Sequence, residues 1–298
     1  MKKVSYYPRY DRLGASSRLR IYQFLPELIK DYDISVNYLL SNQYVKNIYT
    51  KTPQSKWALF KAYCSRLISI IKDDADIIVI EKELFPYLPY IFEKVLLRNK
   101  KYIIDIDDAW FHIYDQHSNK LIQKFIGPKI HLLMQYSWYV FAGSPYLFEV
   151  AKSDHAKQVI LLPTVVDANK YRPNISQPVE NLNSIVIGWI GTNGTVKYLD
   201  SIFSVLESVA AKLPEISIIF NVIGATVSKK LMKVKVEEII WTEDSEAQYI
   251  SEFDIGIMPL ENTLWEQGKC AYKLVQYMAC GKAVVASNVG ANNSVVIH

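Results

Sequence analysis

Between Trp265 and Gly281 the sequence runs WEQGKCAYKLVQYMACG, and Glu266, Lys269, Lys273 and Gln276 recur through it at roughly helical spacing. Read as a helix over 269–280, the segment puts Ala271, Leu274, Val275 and Met278 at the i, i+3, i+4, i+7 positions that pack on a sheet. Lys269, Lys273 and Gln276 then fall on a second face, with Glu266 just before the first turn. Gly268 frees the backbone at the helix entry, and Gly281 suits the left-handed position that ends a helix. A helix start presents unpaired N–H groups and partial positive charge, so with two lysines beside it this one would hold a phosphate. A solvated charged face shows the same spacing, and the pattern by itself leaves both readings open.

GTNGT at 191–195 offers a second anion site, after a strand-like run and before a helical one. Gly191 and Gly194 let backbone N–H groups approach an anion, Asn193 stands between them, and Thr192 or Thr195 adds a hydroxyl bond. The loop is neither G-x-G-x-x-G nor a P-loop, and an ordinary strand-to-helix turn is the competing reading. RLGASSRLR places Gly14 in a loop ahead of the first helix, with Arg18 expected to face a cleft and Arg20 the surface. Asp105 and Asp107 of DIDDAW form a D-x-D suited to a divalent cation. That pair closes a strand of the first half, whereas the anion signature lies in the second, so no metal is expected. Glu81 and Glu83 of IEKELFP end the preceding strand, facing the same cleft or serving as caps and surface charge. No H-E-x-x-H, Cys/His zinc spacing or G-x-S-x-G elbow occurs.

Positioning these side chains falls to short apolar runs that alternate with helical patterns, which argues for parallel βαβ units. Strands are expected at KKVSYY, ISVNYLL, DIIVIE, KYIIDID, WYVFAG and QVILLP, and again at SIVIGWIG, EISIIFNVIG, VEEIIW, DIGIMPL and AVVAS. Helices are expected between them, among others over 56–72, 88–98 and 119–135. SSRLRIYQFLPELIK reads as one more, with Leu19, Tyr22, Leu25 and Leu28 on its packed face. RPNISQPVENLNS carries two prolines and little apolar content, and reads as a linker. The chain thus divides into 1–172, a linker at 173–184, and 185–298: two doubly wound α/β halves whose carboxyl-end loops are expected to face a ligand across a cleft. GANNSVVIH breaks off as another helix begins, so the second half is expected to be incomplete.

The 298 residues, 50% hydrophobic and 21% charged, are ordinary for a globular protein and sized for two domains. A net charge of +4 favours anionic ligands such as nucleotides, or an acidic membrane surface, and is too weak to indicate nucleic acid. Cys64, Cys270 and Cys280 are odd in number and far apart, as expected of reduced thiols in a cytosolic protein. MKKVSYYPRYD has no apolar run of signal length, and no segment approaches the ~20 apolar residues of a membrane span. Segments 56–72 and 119–141 mix lysines with aromatic and aliphatic residues, which suits either a basic amphipathic face at a membrane surface or packing on the first sheet.

From Asp254 to Val296 the sequence resembles the C-terminal half of the family 4, or group 1, glycosyltransferases. These are retaining enzymes of the GT-B fold that include a polysaccharide-biosynthesis branch. The resemblance extends, in order, through GASSRLRIYQFLPEL (14–28), YIIDIDDAWF (102–111), AGSPYL (142–147), LPTVVDANKYRP (162–173) and IGWIGTNGT (187–195). It implies a GT-B fold and transfer of a sugar from a nucleotide-diphosphate donor to a polysaccharide or glycolipid acceptor, with retention and without a metal or other cofactor. The family pattern separates two glutamates by seven residues, the second before YMACG; here Gly268 and Gln276 hold those places.

Gln276 would then meet the donor ribose through its amide oxygen, while Glu266 either substitutes by a loop shift or caps the helix. Lys273 would neutralise the departing diphosphate, aided by Lys269 and the GTNGT loop, with Lys197 near where relatives carry a further basic residue. Gly14 and Arg18 would lie against the donor phosphates and sugar. Asp107 stands near where many relatives carry a cleft histidine, so it or Asp108 would orient acceptor or sugar hydroxyls, with Glu83, His112 and His117 on the acceptor side. Lipid-linked acceptors would place the protein in the cytoplasm, at the inner face of the plasma membrane, and relatives continue beyond the equivalent of residue 298. The two absent carboxylates leave a non-catalytic nucleotide-sugar binding protein as a rival reading, and a nucleotide-sugar epimerase is a rival enzyme on the same fold; the oligomeric state is not set.

Overall fold

A computed structural model describes residues 1–173 and 183–297. The chain forms two units, Met1–Thr164 with Gln267–Cys270, and Val165–Glu266 with Ala271–His298. The first carries six parallel strands, β1 (Lys2–Tyr7), β2 (Tyr32–Val36), β3 (Ile77–Glu81), β4 (Tyr102–Ile106), β5 (Tyr139–Ala142) and β6 (Val159–Leu161), in the order β2-β1-β3-β4-β5-β6. Strand order reverses at β1, which makes the carboxyl end between β1 and β3 a topological switch point. IIVIE and YIIDI are buried along almost their whole length, as strands covered on both faces must be.

The second unit has five parallel strands, β7 (Ser184–Ile190), β8 (Ser217–Ile223), β9 (Lys235–Ile239), β10 (Ile255–Met258) and β11 (Ala283–Ala286), ordered β11-β10-β7-β8-β9. Its switch point lies between β7 and β10. Gly188 and Gly256 are register partners across these two strands. A Cβ on Gly188 would sit 2.2 Å from the Phe253 ring, and one on Gly256 2.2 Å from the Tyr277 ring. The paired glycines therefore make a flat floor on which the two rings pack edge to face, 5.9 Å apart.

All eleven expected strands are present, with β2 ending at Val36 instead of running on to Leu40. The first expected long helix is broken into Ala15–Arg20, a 3-10 turn at Tyr22–Phe24 and Leu25–Leu28, and its buried side is Ser17, Arg18, Arg20 and Ile21. The helix expected over 119–135 is two, Lys120–Phe125 and Lys129–Tyr136, parted at Gly127 and Pro128. The unit boundary falls at Thr164 and Val165, not at 172. The reason is Tyr171, which is buried in the second unit's core with Ile223, Leu274 and Tyr277. Most of the expected linker at 173–184 lies outside the described residues.

Candidate functional site

Behind β7 the second unit gathers a loop, an indole and a cation. The Gly191 N–H bonds the Ile223 carbonyl at 3.0 Å, and a Cβ there would lie 2.2 Å from the Trp189 ring. Thr195 Oγ1 accepts from the Thr192 N–H at 3.0 Å and donates to the Thr192 carbonyl at 3.1 Å. Asn193 Oδ1 accepts from the Thr226 N–H at 3.0 Å. The Gly191 amide and the Thr195 hydroxyl, expected to meet an anion, are thus engaged in holding the turn. Asn193 and Gly194 are the exposed residues of the turn, and a Cβ on Gly194 would come no nearer than 3.6 Å to Thr192 Oγ1. Lys273 sets its ammonium 5.6 Å from the centroid of the same Trp189 ring.

Lys273 belongs to the helix Tyr272–Ala279, which starts later than expected because Ala271 takes the left-handed conformation at φ 54°. A residue with a side chain costs about 1–2 kcal/mol there, and such outliers gather at functional sites. The late start shifts the buried side to Leu274, Gln276 and Tyr277, and leaves Met278 exposed. Gly268 and Lys269 lie outside the helix, among the residues of the first unit. Gln276 is 2% exposed; its Nε2 donates to Tyr171 Oη at 3.0 Å, and that hydroxyl donates to Glu246. Glu246 also accepts from Trp241 Nε1 at 2.7 Å. Burial in this chain of bonds takes Gln276 away from the expected ribose contact. Glu266 is buried too, accepting from the Tyr198 and Thr263 hydroxyls. Burial alone would raise its pKa, but those two bonds, with Lys197 nearby, hold it down.

In the first unit the acids at the ends of β3 and β4 are matched by cations. Asp105 is clamped by Arg20 through Nη2 at 2.6 Å and Nε at 3.1 Å. Arg20 also donates to the Leu162 carbonyl at 2.7 Å, which is why it is buried and not on the surface as expected. Glu81 accepts from Ser17 Oγ at 2.5 Å and the Arg9 N–H at 3.0 Å, and burial pushes its carboxyl up. Lys82 lies in the left-handed region at φ 65°, its ammonium 2.9 Å from Asp107 Oδ1 and 3.2 Å from Ser16 Oγ. Burial would raise the Asp107 pKa, but Lys82 and Ser16 hold it at about 2. Asp107 is therefore held as a carboxylate, able to accept a hydrogen bond from a hydroxyl. With Asp105 held by Arg20, the D-x-D does not turn two carboxylates to one ion.

Lys269 pairs with Asp108 at 2.9 Å, and Cys270 Sγ donates to the Asp107 carbonyl at 2.8 Å. Gly268 is glycine for space, since a Cβ would sit 2.5 Å from Ala109 Cβ and 2.7 Å from its nitrogen. Gly14 is likewise set by packing, with Tyr10 Cβ 2.3 Å from where its own Cβ would stand. Arg18 is buried on the packed side of Ala15–Arg20, not presented outward. Glu83, expected on the acceptor side, is buried: it accepts from Trp110 Nε1 at 2.9 Å and Tyr114 Oη at 2.8 Å, and pairs with Lys129 at 2.7 Å. His112 has Nδ1 against Asp115 at 2.9 Å and Nε2 against Tyr146 Oη at 2.8 Å, so neither ring nitrogen is turned to an acceptor. Sequence reasoning missed Lys82, Trp189 and Tyr198. Their signals were the lysine between the two glutamates of EKE and the aromatics flanking GTNGT.

Residues 184–298 match the family described as Glycosyl transferases group 1. Over 128 residues, 41% of this chain, the sequence is 29% identical to TuaH of Bacillus subtilis (strain 168), a protein assigned to teichuronic acid biosynthesis as a glycosyltransferase. That match spans 31% of the relative's length. Sucrose-phosphate synthase from Thermosynechococcus elongatus superposes on 100% of this chain and 84% of its own, with TM-score 0.65 and 11% identity. A UDP-GlcNAc 2-epimerase from Neisseria meningitidis, bound to UDP-GlcNAc, matches 99% of this chain and 85% of its own, with TM-score 0.54 and 12% identity. At such identities the likeness shows the fold, the pair of Rossmann-like domains termed GT-B, which serves a synthase and an epimerase alike.

Proposed function

Residues 184–298 match the group 1 glycosyl transferases, and on that match we propose that the chain moves a sugar from a nucleotide-diphosphate donor to a polysaccharide or glycolipid acceptor. The observation that carries this reading is the Lys273 ammonium 5.6 Å from the centroid of the Trp189 ring, the ring against which Gly191 opens the GTNGT turn, inside the matched segment. Departure of the diphosphate is the electrostatically demanding event, and a fixed cation with backbone N–H groups stabilises the charge as it develops. The acceptor hydroxyl attacks the anomeric carbon on the face the diphosphate leaves and passes its proton to the departing diphosphate oxygen as the old C–O bond breaks. The configuration is therefore retained, and no enzyme nucleophile or cofactor is needed. In the first unit Asp107, kept ionised by Lys82, is a carboxylate that can accept a hydrogen bond from a hydroxyl. The Bacillus relative's assignment to teichuronic acid biosynthesis supports an acceptor of polysaccharide or lipid-linked class.

The test is nucleotide release from a panel of UDP, GDP and ADP sugars. Lys273→Ala is expected to lower kcat by roughly 10²–10³-fold, the size of a lost charge-stabilising donor, with the melting temperature unchanged. Tight nucleotide binding without turnover in the wild type would replace this reading with a binding protein. Interconversion of donor sugars without transfer would replace it with an epimerase.

A further inference from the structure

The helix Lys56–Lys72 buries Ile70 and Arg66 and turns a second apolar side outward. Its packed side carries Arg66, which is 2% exposed and donates through Nη2 to the carbonyls of Pro8 at 2.6 Å and Asn37 at 2.8 Å. Its outer side carries Trp57 and Ile71, both 62% exposed, with Phe60, Leu67 and Ile68 between them. Across a groove of about 520 Å³, the helix Tyr90–Leu97 adds exposed Ile91, Phe92 and Val95. Exposed apolar patches of this extent mark interaction surfaces.

Along the two helices the exposed charges are all basic; the nearest exposed acids in sequence, Asp74 and Asp76, lie past the end of the first, where Asp74 pairs with Lys3. Lys56–Lys72 contains no acidic residue, and Lys56, Lys61 and Lys72 are exposed along it. The lone acid of the second helix, Glu93, is fully buried, accepting from the N–H groups of Leu84 and Phe85 at 3.0 Å, while Lys94 and Arg98 stay exposed. Trp57 stacks on Phe60 at 5.3 Å, and the Lys61 ammonium lies 5.4 Å from the Trp57 ring. A tryptophan and aliphatic stripe edged by lysines, with no exposed acid in either helix, is the composition of a helix lying in a membrane interface.

We propose that this face docks on an anionic lipid bilayer, its apolar stripe at the headgroup–acyl boundary and its lysines among acidic headgroups. Charge decides against a second copy, which would set cations against cations. The inference is independent of glycosyl transfer, because binding is read without donor or acceptor. Sedimentation with phosphatidylcholine vesicles, with and without phosphatidylglycerol, tests it. Binding is expected to rise at least about tenfold with the anionic lipid and to fall in high salt. Lys61→Glu with Lys72→Glu should lose roughly tenfold or more, at about fivefold per lysine removed. Trp57→Ser with Phe60→Ser should lose it while the melting temperature holds, since both side chains are in solvent. Equal partition onto neutral vesicles, no partition onto anionic ones, or a dimer that Trp57→Ser with Phe60→Ser abolishes would each overturn the proposal; so would capture of an acidic protein by a chain that ignores vesicles.

Discussion

Lys129 has no surface at all, and its ammonium is held between Glu83 Oε2 and Glu93 Oε1, each at 2.7 Å, with the Phe85 carbonyl at 2.5 Å. Truncating one member of a buried set leaves carboxylates with neither water nor counter-charge, which costs about 3–5 kcal/mol. Lys129→Met should lower the first unit's stability by that amount in urea unfolding followed by circular dichroism. Adding Glu93→Gln should recover part of the loss; a single variant as stable as the wild type would show that the three groups are not coupled. Nothing local announces such a lysine. Its partner Glu83 lies 46 residues away, and charged side chains are read as surface unless a partner is known. Arg20 and Glu83 were misplaced for that reason.

Elements were more legible than side chains. A parallel strand covered on both faces writes itself as a continuous apolar run, so every strand could be found, while helix phase depended on one unforeseeable left-handed residue, Ala271. The glycines of β7 and β10 show what a strand gains by giving up side chains. Tyr277 rests on Gly256 and its hydroxyl accepts from the Ile190 N–H at 3.1 Å, one residue before the GTNGT turn. Gly256→Ala drives a methyl into that ring and should cost about 1–3 kcal/mol as an overpacked core does. Because the displaced tyrosine also anchors the end of β7, nucleotide affinity measured by calorimetry should fall with stability. A variant destabilised but unchanged in nucleotide affinity would separate the floor from the loop.

At the scale of the molecule, the division into two doubly wound units was legible, but the transfer of Gln267–Cys270 to the first unit was not, since it rests on Gly268 meeting Ala109 and Lys269 meeting Asp108. Two units with separate cores should respond separately to pH. In the first, His131 lies between Asp154 at 2.6 Å and Asp115 at 3.3 Å, tying helix Lys129–Tyr136 to the ends of two others. Burial would lower its pKa, but bonds to the two carboxylates and their charge carry it up to about 9, from an ordinary 6.5. Below 6.5 the imidazolium is present in both folded and unfolded chains and its contribution is complete. Between 6.5 and 9 the unfolded chain has released a proton that the folded chain keeps, so the contribution decays and is gone once pH passes about 9. With a quarter of the side chain in solvent, the loss is about 1–2 kcal/mol, or roughly 2–6 °C. Calorimetric scans from pH 6 to 9.5 should show the first unit's transition moving down relative to the second's, and His131→Gln should flatten that difference. If the variant keeps the wild-type slope, the His131 clamp does not set the first unit's response to alkali.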